Sequence, residues 1–386
     1  MARILVRNIG LLLSGDIAEP VLAADALLIE KGVILSIGRL SDLNQQDLTQ
    51  VIDAGGCAVG PGLIDNHVHP VFGDWTPRQN QTGWIEAFVQ GGCTTMFSAG
   101  EVHLPGRPKD PVGVKALAIT AQRCFDAFRP LGARVFAGAP VAERSMVEAD
   151  YAEMAACGVG LLGEIGLGTV RELEEARTHA AWARKYGLNS MIHCGGPSIA
   201  GSNLVGADVV IAADCDTVAH INGGPTSLGT RELTRVIEGT TRAIEIVHNG
   251  NPRTALHALN VLTEMGRLDR LVIGTDSPAG SGVQPLGVMR TISFLVSVGG
   301  LEPSIAIACA SGNTARFRAF SGGRIAAGLP ADLLFMDQPQ GSEATDVLEA
   351  LSLGDLPGIG MVMIDGVART GRSRNTPPAA RVPVAA

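Results

Sequence analysis

GVGLLGEIGLGTVRELEEARTHAAWARKYGLNSMIHC, residues 158–194, spells a strand, a helix and a second strand in one legible unit. The apolar run 158–166 is interrupted by a single acid, Glu164, and reads as a short buried strand. Thr169 and Glu172 have the spacing of a capping box, which predicts a helix from there through Tyr186. Gly187 ends it, and NSMIHC is the next strand. A second unit follows the same plan: AIEIVH (243–248), Asn251 as cap with Pro252 in the first turn, a helix to Gly266, then RLVIG (270–274). Strands joined through helices must lie parallel.

Polar residues interrupt or close these strands at Glu164, His193, His220, His248 and Asp276, at intervals of 29, 27, 28 and 28 residues. A (β/α)8 barrel uses about 31 residues per unit and collects its chemistry at the C-terminal ends of its strands. GLIDNHVH (62–69), CTTMFSAG (93–100) and ARVFAGA (133–139) supply three further strands and complete eight. No Gly-rich dinucleotide fingerprint follows any of them, which argues against an open nucleotide-binding sheet.

Both chain ends have another texture. ARILVRNIGLLL (2–13), ADALLIEKGVILSIG (24–38) and VIDAGGCAVG (51–60) read as short strands, as do ADLLFMD (331–337) and GIGMVMIDGVA (358–368). The expectation is therefore an α/β chain: a TIM-type (β/α)8 barrel over 59–321, and a small β-sandwich domain built from 1–58 plus 322–386. The last stretch, RSRNTPPAARVPVAA (372–386), reads as loose or draped over a neighbouring subunit.

Composition narrows the function. With 46% hydrophobic and 18% charged residues, the 386-residue chain can bury a large core. A net charge of -8 argues against nucleic acid as partner. Seven scattered cysteines without a CxxC pair fit free thiols in a reducing compartment. The N-terminal apolar patch is too short for a signal peptide, and no run suits a membrane span. These features predict a soluble, cytoplasmic protein that binds neither nucleic acid nor membrane; a small-molecule substrate is implied only by the site residues and the resemblance below.

His67 and His69 lie two apart on a strand, so both imidazoles face one side and can meet one cation. His193 and His220 close later strands, and Asp276 closes the last. Such a set converging at one barrel mouth would be a costly group of buried polar side chains without a metal.

With VGPGLIDNHVHP (59–70), GGCTTMFSAG (91–100), the late-strand histidines and GTDSP (274–278), the sequence resembles the amidohydrolase superfamily. ILSIG (34–38) and AAGLPADLLFMD (326–337) extend the likeness over nearly the whole chain. The resemblance implies one metal on His67, His69 and Asp276, and another on His193 and His220. Many relatives bridge the two with a carboxylated lysine. The four lysines here (Lys31, Lys109, Lys115, Lys185) avoid the barrel strands, and Glu164 takes that place.

The two divalent ions would be zinc, or zinc with iron(II) at one position. Acidified water would attack an amide carbonyl, and Asp276 would carry its proton to the leaving nitrogen. The resemblance further implies opening of the cyclic enamide 6-oxo-1,4,5,6-tetrahydronicotinate to 2-formylglutarate and ammonia, in nicotinate breakdown, by a homo-oligomer, as a tetramer. Other readings are a deaminase or cyclic imidase with the same centre, or a non-catalytic scaffold, although a scaffold need not keep all six ligands.

His248 and His103 are candidate substrate contacts, and His103 shares its loop with Glu101. Arg107 and Arg253 follow strands but are expected to be solvated or ion-paired. Trp75 and Trp84 are expected to pack, His179 to lie on the surface, and His257 to sit on an ordinary helix face.

Overall fold

The computed structural model describes residues 3–70, 83–101, 104, 106–197, 203–224, 226–278 and 282–385. Its centre is eight parallel strands: β1 (Leu63–Val68), β2 (Cys93–Ser98), β3 (Arg134–Phe136), β4 (Leu161–Ile165), β5 (Asn189–Ile192), β6 (Thr217–Val218), β7 (Ala243–Val247) and β8 (Leu271–Gly274). A helix follows each: α1 (Trp84–Gln90), α2 (Pro111–Ala127), α3 (Glu148–Ala156), α4 (Leu173–Lys185), α5 (Ala207–Ala213), α6 (Thr230–Gly239), α7 (Pro252–Glu264) and α8 (Gly287–Ser297). The alternation expected from residues 158–274 is thus present throughout.

The ladders fall into a three-stranded sheet, β3-β2-β1, and a five-stranded sheet, β4-β5-β6-β7-β8, rather than one eight-strand ring of ladders. Irregular bonds link the two. At one seam Asp276 N donates to His67 O (2.9 Å) and His69 N to Ser277 O (2.8 Å). There the Asp65 carboxylate also accepts from Thr275 N (2.9 Å) and Thr275 Oγ1 (2.7 Å), doing with a side chain what a ladder does with carbonyls. At the other seam Gly163 N donates to Pro140 O and Glu164 N to Ala99 O, both at 2.9 Å.

Strand alternation divides the core. Leu63, Met96 and Leu162 join the large cluster with Trp84, Phe88 and the helices, while their neighbours Ile64, Phe97 and Leu161 join a small cluster with Ala139 and Ala315. Both faces are apolar, as a sheet covered on both sides requires. Trp84 packs as expected, nearly perpendicular to Phe88 at 5.3 Å.

The chain ends form two further sheets. One orders Val384–Ala385, Gln50–Asp53, Arg3–Arg7, Ala26–Glu30 and Val33–Gly38. The other orders Val367–Thr370, Gly358–Ile364, Leu333–Asp337, Ala58–Pro61, Leu11–Leu13 and Val21–Leu22. They share one apolar cluster, with Val6, Leu27 and Ile52 from the first meeting Val59, Phe335 and Met363 from the second.

Three local expectations are corrected. The helix after β4 starts at Leu173 with Glu172 as its N-cap, not at Thr169. Thr169 Oγ1 is drawn away by Glu143, donating to its carboxylate at 2.7 Å. His179 is buried, its Nδ1 2.7 Å from the Tyr151 hydroxyl, because α3 covers that face of α4. The C-terminal stretch is pinned to its own chain: Asn375 Nδ2 donates to Ala87 O, Arg381 grips both oxygens of Asp337, and Val384–Ala385 pairs with Gln50–Asp53. The Asn251 cap is as read, its Oδ1 accepting from Arg253 N and Thr254 N, worth about 1 kcal/mol.

Candidate metal centre

The polar ends of β1, β4, β5, β6 and β8 meet at one place. His67 Nε2 and His69 Nε2 are 3.2 Å apart, and Asp276 Oδ1 lies 3.0 Å from His69 Nε2 and 3.4 Å from His67 Nε2. On the other side His193 Nδ1 and His220 Nε2 are 3.1 Å apart. Glu164 stands between the two groups and offers each a different oxygen. Its Oε2 is 3.5 Å from His67 Nε2, while its Oε1 is 2.8 Å from His220 Nε2 and 3.5 Å from His193 Nδ1. All six side chains are buried.

The donor set fits two divalent cations. Ligand atoms of His67, His69 and Glu164, of His67, His220 and Asp276, and of Glu164, His193 and His220 each form a triad within 4.8 Å. Glu164 Oε1, despite its close imidazoles, accepts no hydrogen bond from the described residues, so a buried carboxylate oxygen has lone pairs open there. Imidazole nitrogen and carboxylate oxygen are the donors zinc and ferrous iron take.

Electrostatics point the same way. Burial pushes the Glu164 carboxyl up, but His220, His67 and His193 pull it well below the ordinary carboxylate range. Burial likewise opposes ionisation of Asp276, and His67, His69 and His220 prevail and lower it. His67 is raised well above the usual imidazole value, against burial, by Glu245, Glu164 and Asp276.

Two of the six residues sit in strained backbone. His220 has φ 26° and Asp276 φ 60°, the left-handed region that costs a residue with a Cβ on the order of 1–3 kcal/mol. In both, that turn ends a strand and aims the side chain inward.

The chain is 44% identical over 381 residues to the enamidase of Eubacterium barkeri, covering 99% of each protein. A solved structure described as enamidase, a new member of the amidohydrolase superfamily, superposes with a TM-score of 0.97 at 43% identity, covering 100% of both chains. The chain belongs to the enamidase family of the amidohydrolase superfamily. An N-acetyl-D-glucosamine-6-phosphate deacetylase of Mycobacterium smegmatis shares the fold at 15% identity, with a TM-score of 0.66 over 96% of this chain and 100% of that one. No family model matches the sequence.

For this enamidase-family chain the remaining expectations resolve unevenly. His103 and Trp75 lie outside the described residues. His248 lines a cavity of about 250 Å³ with Asn222, Pro252, Arg290 and Phe294, and burial and Arg290 lower its pKa. Arg107 pairs with Glu143 at 2.9 Å, and Arg253 is exposed. His257 accepts or donates a 2.8 Å bond with Thr234 on the neighbouring helix. Glu101 is buried, and burial raises its carboxyl to about 8.

One buried acid beside the cluster escaped the sequence reading. Glu245, in the middle of β7, is fully buried with Oε2 2.8 Å from His67 Nδ1. A lone acid inside the apolar run AIEIV was the available signal, since a buried carboxylate needs a partner.

Among the described residues, no helix is long and apolar enough to cross a membrane.

Proposed function

We propose that this chain is a binuclear metal-dependent hydrolase that opens 6-oxo-1,4,5,6-tetrahydronicotinate to 2-formylglutarate and ammonia. The observation that carries the reading is Glu164, with one oxygen toward His67 and the other toward His193 and His220. Full-length likeness to enamidase supplies the substrate class.

His67, His69 and Asp276 would hold one ion, His193 and His220 the other, and Glu164 both. Zinc suits these donors, with iron(II) acceptable at one position. When bound, the pair supplies positive charge that acidifies water and polarises an amide carbonyl. Asp276, at 8% exposure the least buried of the six, is the one water and substrate would reach most readily. Its carboxylate takes the attacking water's proton and returns it to the departing nitrogen. Cleavage of the ring C–N bond leaves an enamine, and a second water releases its nitrogen as ammonia and leaves the aldehyde. His248 and His103 would contact the substrate.

The two parallel sheets and their hydrogen-bonded seams support reading residues 59–321 as one (β/α)8 barrel, with 1–58 and 322–386 as a β-sandwich. The protein would work in the cytoplasm as a homo-oligomer, a tetramer in this reading.

The test is ammonia release from 6-oxo-1,4,5,6-tetrahydronicotinate by metal-loaded protein, alongside a metal count. Turnover with about two ions per chain is expected. Turnover of an unrelated hydantoin alone would move the assignment to a cyclic imidase, and a metal-free active preparation would end it.

A further inference from the structure

Among the four histidines of the cluster, His67 is held differently. His69 Nδ1 faces the carbonyl of Gly100 at 2.7 Å, and His193 Nε2 that of Gly196 at 3.0 Å. His220 Nδ1 has no hydrogen-bond partner among the described residues. The His67 nitrogen turned away from the cluster, Nδ1, instead faces a carboxylate, Glu245 Oε2 at 2.8 Å. A ring nitrogen that donates to a full negative charge leaves the opposite nitrogen more electron-rich than one donating to a neutral carbonyl.

The contact is one end of a chain. Glu245 Oε2 also accepts from His220 N at 2.9 Å, and its Oε1 accepts from Asn66 Nδ2 at 2.5 Å. Asn66 Oδ1 accepts from Arg318 Nε at 2.6 Å, while Arg318 Nη2 donates to Asn66 O at 2.9 Å and Nη1 to Asn189 Oδ1 at 2.8 Å. All of Asn66, Glu245 and Arg318 are buried. Gly274 makes room for the near end, because a Cβ there would lie 2.7 Å from His67 Cβ and 3.0 Å from Glu245 Oε1.

The polarity of this chain is set from its far end. A guanidinium can only donate, so Asn66 must turn its carbonyl oxygen to Arg318 and its NH2 to Glu245. Glu245 Oε1 must then accept, and Oε2 already receives the His220 amide. Both oxygens are therefore acceptors, and His67 Nδ1 has to carry the hydrogen. The Nε2 lone pair is left facing His69, Glu164 and Asp276.

The geometry points to Arg318, Asn66 and Glu245 as a positioning relay that fixes the tautomer of His67 and makes it the strongest-donating imidazole of the centre. The relay rests on the metal reading above, and it acts on the metal position shared by His67, His69 and Asp276.

The test is zinc retention by the holoprotein after equilibration against graded chelator, with zinc counted per chain. Glu245→Gln and Asn66→Leu should each loosen one of the two ions by 10–100-fold, the range seen when such partners are removed, and leave the other in place. Because both cut the same chain, the double variant should lose no more than Glu245→Gln alone. Tyr151→Phe, which removes a buried bond to His179 away from the centre, should retain zinc like the parent. Parent-like retention in Glu245→Gln and Asn66→Leu, or additive losses that follow thermal midpoint in every variant, would overturn the relay and leave the metal reading standing. A parent that retains no divalent ion overturns both.

Discussion

Asp276 Oδ1 lies 3.0 Å from His69 Nε2 across 207 residues of sequence. The backbone holds it there from both sides: Asp276 N donates to His67 O, and Asp276 O accepts from Asn249 Nδ2 at 3.0 Å. Asp276→Asn keeps shape and size but cannot take a proton. Its kcat in the ammonia-release assay should fall by about 10²–10⁴-fold, the usual contribution of a positioned acid–base group. Circular dichroism should remain that of the parent. A variant with parental kcat removes Asp276 from the proton path.

Glu164 is the one side chain common to both halves of the centre, so its loss should be felt in both. Glu164→Ala should lower bound metal below two ions per chain, read by elemental analysis after desalting. The methyl group leaves two imidazole groups with no shared anion, and each ion loses a charged ligand. Parental stoichiometry would show that another group joins the two positions.

Much of this centre was legible because barrels put reactive residues where strands end, and strand ends are visible as polar residues closing apolar runs. His69, His193, His220 and Asp276 obey that rule, His67 comes two residues before His69 on the same strand, and Glu164 shows as the one acid in its apolar run. Glu245 and Asn66 also sit inside strands, but their roles depend on which residue lies across the interior. Arg318 comes from beyond β8, and no local pattern connects it to Asn66, 252 residues earlier. The misplaced start of α4 has a similar cause. Thr169 and Glu172 have capping-box spacing, but the distant Glu143 competes for the Thr169 hydroxyl. The tail after residue 372 looked unstructured because its order comes from bonds to Ala87 and Asp337 rather than from its own periodicity.

Glu101 offers a pH test outside the six residues of the cluster. Burial raises its carboxyl from 4.5 to about 8, against weak donors at Gly138 N (3.3 Å) and Ser98 Oγ (3.4 Å). A folded-state pKa above the unfolded one means its stabilising contribution is complete below about 4.5 and is lost as pH rises through about 8. Glu101→Gln cannot ionise and should escape that loss. Urea midpoints at roughly pH 5, 7 and 9 should move in favour of the variant as pH rises. A difference between variant and parent that stays flat across this range would place the ionised carboxylate comfortably in the fold.

Arg270 is a charged side chain with no solvent exposure, used as a peg between elements. It stands just before β8, and its guanidinium donates to Arg242 O, Ile237 O and Thr240 Oγ1, each at 2.9 Å. Ile237 lies in the last turn of α6, where helix carbonyls have no partner of their own. Burial lowers its pKa to about 10, which still leaves the cation intact at neutral pH. Arg270→Leu fills part of the volume yet strands two carbonyls and a hydroxyl. Three stranded groups at about 1–3 kcal/mol each put the loss of unfolding free energy at roughly 3–9 kcal/mol, less what burial of the leucine returns. Arg270→Lys should recover only part of this, because a compact ammonium cannot span three acceptors arranged around a planar fork. Guanidinium unfolding curves on the three proteins would order them parent, Lys, Leu. If Leu matches the parent within about 0.5 kcal/mol, α6 is fastened to β8 by packing alone and the peg is dispensable.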